Sequence, residues 1–84
     1  MKKWIYTLLD EKGIDVMDFV TVGEDPFFGD RIIMIDDIVK FILSSDKATQ
    51  KQIKNKLVAI DFLNGDVMHF IKYIGNAMFE MGAC

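Results

Sequence analysis

Several residue types that carry chemistry or covalent structure are scarce in this chain of 84 residues. The one cysteine, Cys84, cannot form an internal disulfide, which fits a reducing compartment. One histidine and one cysteine are too few for the usual zinc ligand sets. The glycines follow no phosphate-binding pattern, so nothing indicates a nucleotide loop. We therefore expect no metal, no cofactor and no catalytic residue.

Long uncharged apolar runs are also missing. A membrane span needs roughly 18 or more consecutive apolar residues, and Asp36-Asp37 and Lys72 interrupt the apolar segments. Lys2-Lys3 imitates the start of a signal peptide, but charged residues return at 10–12 and no small-residue cleavage site follows. We expect an intracellular, cytoplasmic protein that does not contact a membrane.

Positive charge is limited, with Arg31 as the single arginine and a net charge of −3. Residues 1–46 carry five Lys or Arg against ten Asp or Glu, whereas residues 47–84 carry five Lys against three. Binding to a nucleic-acid backbone depends on cations that neutralise phosphates. The acidic balance therefore disfavours nucleic acid as a partner.

Apolar residues, in contrast, are abundant at 51% of the chain. A domain of this size buries only roughly 60–65% of the surface that its unfolded chain exposes. The apolar excess therefore predicts a partner interface, most simply with another copy of the chain as a homo-oligomer. The alternative is a tight core beneath an apolar but inert surface.

The hydrophobic spacing predicts one all-α domain over residues 1–84, a small bundle of four main helices without a linker. The first helix is expected over residues 2–12, with Gly13 as its C-terminal cap. Residues 15–35 allow a short extra helix or a strand pair. Asp15 is a candidate N-cap for a helix through Val20, because its carboxylate can accept the amide hydrogens that follow.

Three further helices are expected after this region. Each has a start signal that satisfies free amides or places negative charge in its first turn. They are predicted from Met34 to Ser44, from a cap at Ser45 or Asp46 to Leu63, and from Asp66 to about Met81.

The last helix is apolar on most of its circumference, so we expect it to pack across the others. Asn64-Gly65 predicts a tight turn before it, and Gly75 predicts a close helix crossing. Its polar residues form one narrow stripe: His69, Lys72, Asn76 and Glu80.

Phe27 and Phe28 stand in the glycine-bracketed loop over residues 23–30. Adjacent aromatic side chains on a loop are typical anchors of a protein interface. The alternative is a loop that folds back to fill its own core.

Three lysines form the candidate basic face of the third predicted helix, namely Lys47, Lys51 and Lys54. Such a row contacts an acidic partner or phosphates, or else is a solvated surface. The apolar helix after Asn64-Gly65 offers little to a DNA groove, which argues against a helix-turn-helix reader.

The sequence offers only weak candidates for an acid–base catalytic residue and for a cation-binding site. Histidine is the side-chain type whose free pKa lies near neutral pH, and Asp66 could orient the ring of His69, but no nucleophile motif accompanies them. Asp36-Asp37, together with the acidic residues at 24, 25 and 30, lacks the alternating oxygen ligands of a calcium loop. We interpret both groups as structural or solvated.

The segment KNKLVAIDFLNGDVMHF, residues 54–70, resembles short proteins of unassigned activity that phages and mobile elements of Gram-positive bacteria encode. The resemblance covers about a third of the chain and transfers no site residue. It implies an accessory protein that acts on a host component, such as an inhibitor of a defence system of the CRISPR type.

We expect a non-catalytic protein-interaction domain, either a self-associating accessory protein or an inhibitor of a host protein. Phe27, Phe28 and the basic face are its candidate contact residues. The alternative is a nucleic-acid-associated regulator that uses the basic face.

Overall fold

The computed structural model describes residues 4–25, 27, 29–60 and 66–82, with the backbone alone at 24, 25, 29 and 30. A helix, a β-hairpin and three further helices follow one another along the chain. Their bounds are α1 (Trp4–Glu11), β1 (Phe19–Asp25), β2 (Gly29–Met34), α2 (Ile35–Leu43), α3 (Lys47–Ala59) and α4 (Asp66–Glu80).

The predicted all-α class is wrong, because β1 and β2 form a two-stranded antiparallel sheet and the fold is mixed α/β. The short helix through Val20 does not form. Asp15 Oδ1 does accept a hydrogen bond from the amide of Met17, at 2.9 Å. This bond closes a local turn, and the chain then extends from Phe19. The hairpin corresponds to the strand pair that the sequence allows within residues 15–35.

Non-local pairing explains why these residues are extended. The register joins Val20 to Ile33 and Val22 to Arg31, so the alternating residues of β1 have partners about a dozen positions away. Val20, Val22 and Ile33 are buried on one side of the sheet. A two-stranded sheet is stable in water only when such a face is covered, and here α4 lies across β1.

The start signals of α2 and α3 act as predicted. α2 begins and ends within one residue of the expected bounds, with Asp36 and Asp37 in its first turn. Asp46 caps α3, because its Oδ1 accepts a hydrogen bond from the Thr49 amide at 2.7 Å. α3 ends four residues before the predicted Leu63, since Ile60 has an extended backbone.

The ends of the first and last helices, α1 and α4, agree with the predicted bounds where the structure describes them. Gly13 has a φ of +77° just after α1, as expected of a C-terminal glycine. The predicted turn at Asn64-Gly65 lies outside the described residues. α4 begins at Asp66 and continues for 15 residues.

One hydrophobic core joins the hairpin to all four helices. The prediction that α4 packs across the other helices is only partly right, because α4 packs mainly on β1 and to a lesser extent on α2. The close contact at Gly75 is therefore made with Val22 of a strand and is not the predicted helix crossing. The buried apolar residues are Ile5, Leu8, Leu9, Val20, Val22, Ile33, Ile35, Ile38, Val39, Ile42, Leu57, Val67, Ile71, Ile74 and Met78.

Candidate protein-interaction site

The hairpin exposes an apolar face on the side opposite the core. Side chains alternate along a strand, so the residues next to the buried valines point outward. Phe19 is 57% exposed and Ile32 is 67% exposed, while Thr21 and Met34 are partly exposed. We call these four residues the outer hairpin face. Met17, two residues before β1, is 68% exposed and adds apolar area at the same end of the strand.

The ladder brings the side chains of this face close together. The amide of Ile35 donates to the carbonyl of Asp18 at 2.9 Å, in the same register as the strands. Hydrogen-bonded and non-hydrogen-bonded pairs alternate in an antiparallel sheet, which makes Phe19–Met34 and Thr21–Ile32 non-hydrogen-bonded pairs. Such pairs have the shorter Cα–Cα separation. The four side chains therefore form a continuous surface.

The inner side of the hairpin is fixed by α4 at the far end of β1. Asn76 Oδ1 accepts a hydrogen bond from the Gly23 amide at 2.8 Å. Gly23 has a φ of +84°, and the Phe79 ring packs where a Cβ would project. The guanidinium of Arg31 lies 5.4 Å from the centre of the same ring. These contacts place the only charged side chain of residues 31–34 on the inner side.

The structure describes one of the two predicted aromatic anchors. Phe27 lies in the turn between the strands and is 92% exposed, so its ring does not fill the core. Phe28 lies outside the described residues. Phe27 belongs to the same hairpin as the outer face, and its role in binding remains a prediction.

The predicted basic face is a surface of α3. Lys47, Lys51 and Lys54 are all exposed, with spacings of four and three residues that place them on one side of the helix. Lys54 Nζ lies 5.9 Å from the centre of the Trp4 ring, within range of a cation–π contact. Residues 47–59 contain no Asp or Glu. The structure thus places the three lysines together on one side of α3.

A shallow groove between α2, α3 and α4 is a further apolar surface. Phe70 stacks on Tyr73, with ring centres 6.5 Å apart, and Tyr73 is 70% exposed. Lys56 and Gln52 stand beside these rings. The remaining lining is apolar: Phe41, Ile53, Ile74 and Ala77.

The candidate acid–base pair is loosely arranged. His69 Nδ1 lies 4.0 Å from Asp66 Oδ1, beyond hydrogen-bond distance, and both side chains are exposed.

Asp36 has a structural setting. Its Oδ1 accepts a hydrogen bond from the Tyr6 hydroxyl at 3.2 Å, and its Oδ2 lies 3.0 Å from Lys40 Nζ. The hydrogen bond from Lys40 lowers the pKa of Asp36 below its ordinary value. Partial burial, with the Asp36 carboxylate beside it, raises the pKa of Tyr6. The carboxylate thus links α1 to α2. Asp37, the next residue of the acidic group, is exposed, and the side chains at 24, 25 and 30 lie outside the described residues.

The residues that the structure describes form neither a metal-binding cluster nor a membrane-spanning helix. No group of three His, Cys, Asp or Glu side chains among them is arranged to hold a metal ion. None of the helices that the structure describes is both long enough and apolar enough to cross a membrane.

Sequence reasoning did not single out Phe19 and Ile32 as exposed apolar residues. Their exposure follows only once the register of the hairpin is known. The available signal was the alternation of Val20-Thr21-Val22, which predicts that Thr21 and its neighbours at period two share a face.

Comparison with protein-family models, curated proteins and solved structures found no match to this chain. The chain's own residues and geometry therefore carry the functional argument.

Proposed function

We propose that this chain is a non-catalytic protein-interaction domain that binds through the outer hairpin face. It acts as an accessory protein, either by associating with its own copies or by occupying the surface of a host protein. The second role is the one that the resemblance of residues 54–70 to phage and mobile-element proteins implies.

One observation carries this proposal: the four side chains of the outer hairpin face form one continuous surface, three of the four are apolar, and none of the four is charged. Aromatic and aliphatic side chains that project together from a strand pair are suited to a partner surface of similar polarity. In a monomer they would remain in water next to a core that is too small to cover them.

Site-specific photo-crosslinking tests the proposal. The photoreactive p-benzoylphenylalanine replaces Phe19 in one variant and Tyr73 in a control variant, since both positions hold an exposed aromatic ring. After irradiation in the native cell, we expect discrete protein adducts from position 19 and far fewer from position 73. Equal or absent adducts at position 19 would overturn the proposal.

The basic face of α3 supports a second candidate, a nucleic-acid-associated regulator. Its three exposed lysines lie on a helix without carboxylates, so the local field is positive although the chain is acidic. If this candidate is correct, the affinity for DNA or RNA falls steeply with salt, and each Lys-to-Ala change at 47, 51 or 54 reduces the salt slope by about one. No binding at low salt would eliminate it.

A further inference from the structure

We propose that the partner of the outer hairpin face is the same face of a second copy, so that two hairpins stack about a two-fold axis. This inference rests on the proposed function, because it requires that the face binds protein. It adds the identity of the partner and the geometry of the contact.

Charge favours a second copy on this face. A two-fold contact brings the same patch of the two copies together, so a patch with charges of one sign repels itself. The basic face of α3 would place Lys47, Lys51 and Lys54 opposite the same lysines. None of the four residues of the outer hairpin face is charged, and Arg31, the one charged residue among the described side chains of β2, is directed to Phe79 on the inner side. Two copies can therefore approach through the hairpin although each has a net charge of −3.

The shape of the hairpin favours stacking over edge-to-edge pairing. Sheets pack face to face at about 10 Å, with strands aligned to within about 30°, when both faces carry apolar side chains. Pairing at a strand edge would satisfy backbone groups but leave Phe19 and Ile32 in water. Stacking covers both of them.

The available area predicts a weak dimer. With about 150–250 Å² for a fully buried large side chain, the exposed parts of Met17 and the outer hairpin face amount to roughly 400 Å² per copy. The two copies together bury roughly 800 Å², which is less than the roughly 1,200–2,000 Å² of standard specific interfaces and typical of weak, transient contacts. We therefore expect the dimer to be populated only in concentrated solution.

Sedimentation equilibrium of the purified full chain, from about 10 μM to 1 mM, tests this inference. We expect a monomer–dimer equilibrium that Ile32→Glu weakens at least tenfold. Val58→Glu is the matched control, because Val58 is also β-branched and is 58% exposed on α3. It should leave the equilibrium unchanged. Circular dichroism checks that each variant keeps its fold.

A second variant and an NMR measurement cover the case in which Ile32→Glu unfolds the hairpin. Phe19→Thr keeps a residue of high strand propensity and should also weaken the dimer tenfold. In a sample that mixes isotope-labelled and unlabelled wild-type chains, intermolecular contacts are expected between the Ile32 methyl groups and the Phe19 ring.

The outcomes separate this inference from the proposed function. A chain that stays monomeric at 1 mM, or a dimer insensitive to both hairpin variants, overturns the second copy as the partner. If position 19 nevertheless crosslinks a different protein in the native cell, the proposed function stands with another partner. If position 19 gives no adducts either, both proposals fail.

Discussion

Gly75 and Val22 approach so closely that a Cβ at position 75 would lie 2.9 Å from Val22 Cγ1. Both residues are buried, and their contact sets the distance between α4 and β1. Because α4 packs on the hairpin through this contact, it covers the side that carries Val22, and the opposite side of the hairpin is left exposed.

Gly75→Ala should therefore destabilise the fold, although alanine is the better helix former. The helical preference favours alanine by about 1 kcal/mol, while overpacking a buried contact costs about 1–3 kcal/mol. We therefore expect urea unfolding to show a free energy of unfolding that is lower by about 1 kcal/mol than that of the wild type. Ala48→Gly on the exposed side of α3 measures the helical term separately.

A double variant isolates the clash. Val22→Ala alone leaves a cavity and lowers stability, but it removes the atom that a Cβ at position 75 would meet. The loss in Gly75→Ala with Val22→Ala should be smaller than the sum of the two single losses by about 1 kcal/mol. Additive losses would show that the two side chains do not determine the spacing.

The hydrogen bond between Asn76 and Gly23 should stabilise the hairpin against α4. Asn76→Ala leaves the Gly23 amide without its acceptor, which we expect to lower the free energy of unfolding by about 1–2 kcal/mol. Asn76→Asp keeps an oxygen at the same place and should retain most of that stability at pH 7. Chemical denaturation distinguishes the two, and equal losses would contradict the role of the bond.

Stability should fall in acid because two carboxylates are favoured in the folded state. The side-chain and backbone hydrogen bonds from Thr49 lower the pKa of Asp46, and the hydrogen bond from Lys40 lowers that of Asp36. A lowered folded pKa stabilises the protein above the unfolded value of about 3.9. This stabilisation is lost as pH falls from there through the folded pKa.

Asp46 variants test this pH dependence. Asp46→Ala should be less stable than the wild type at pH 7, because α3 loses its cap, and should lose less stability between pH 5 and pH 2. Asp46→Ser keeps a capping oxygen without a titrating group. It should be more stable than Asp46→Ala at pH 7 and show the same flatter pH profile. Thermal unfolding at a series of pH values provides the measurement.

Local signals predicted the helices and left the sheet as one of two alternatives for residues 15–35. Asp46 caps α3 through a bond to Thr49, only three residues away, so the sequence window contains both partners. Val20, in contrast, is extended because it pairs with Ile33, thirteen residues later. Its spacings of three and four to earlier apolar residues imitate a helix, and pairing across the turn overrides them.

The candidate site was less accessible to sequence reasoning than the fold. The exposure of Lys47 and Lys51 follows from helical spacing alone. The exposure of Phe19 and Ile32 depends on which side of the hairpin α4 covers, and that is decided by Gly75 at the other end of the chain. No local pattern contains this information.

The protein-binding role of the outer hairpin face is tested most directly by the solvent exposure of the Ile32 methyl groups, which NMR measures with a soluble paramagnetic agent. The Val58 methyl groups are the internal reference. Dilute pure protein is compared with a 1 mM sample and with a dilute sample in native-cell lysate. We expect Ile32 to lose accessibility relative to Val58 in at least one of the last two. Equal accessibility of both residues in every sample would contradict a protein-binding role for the outer hairpin face.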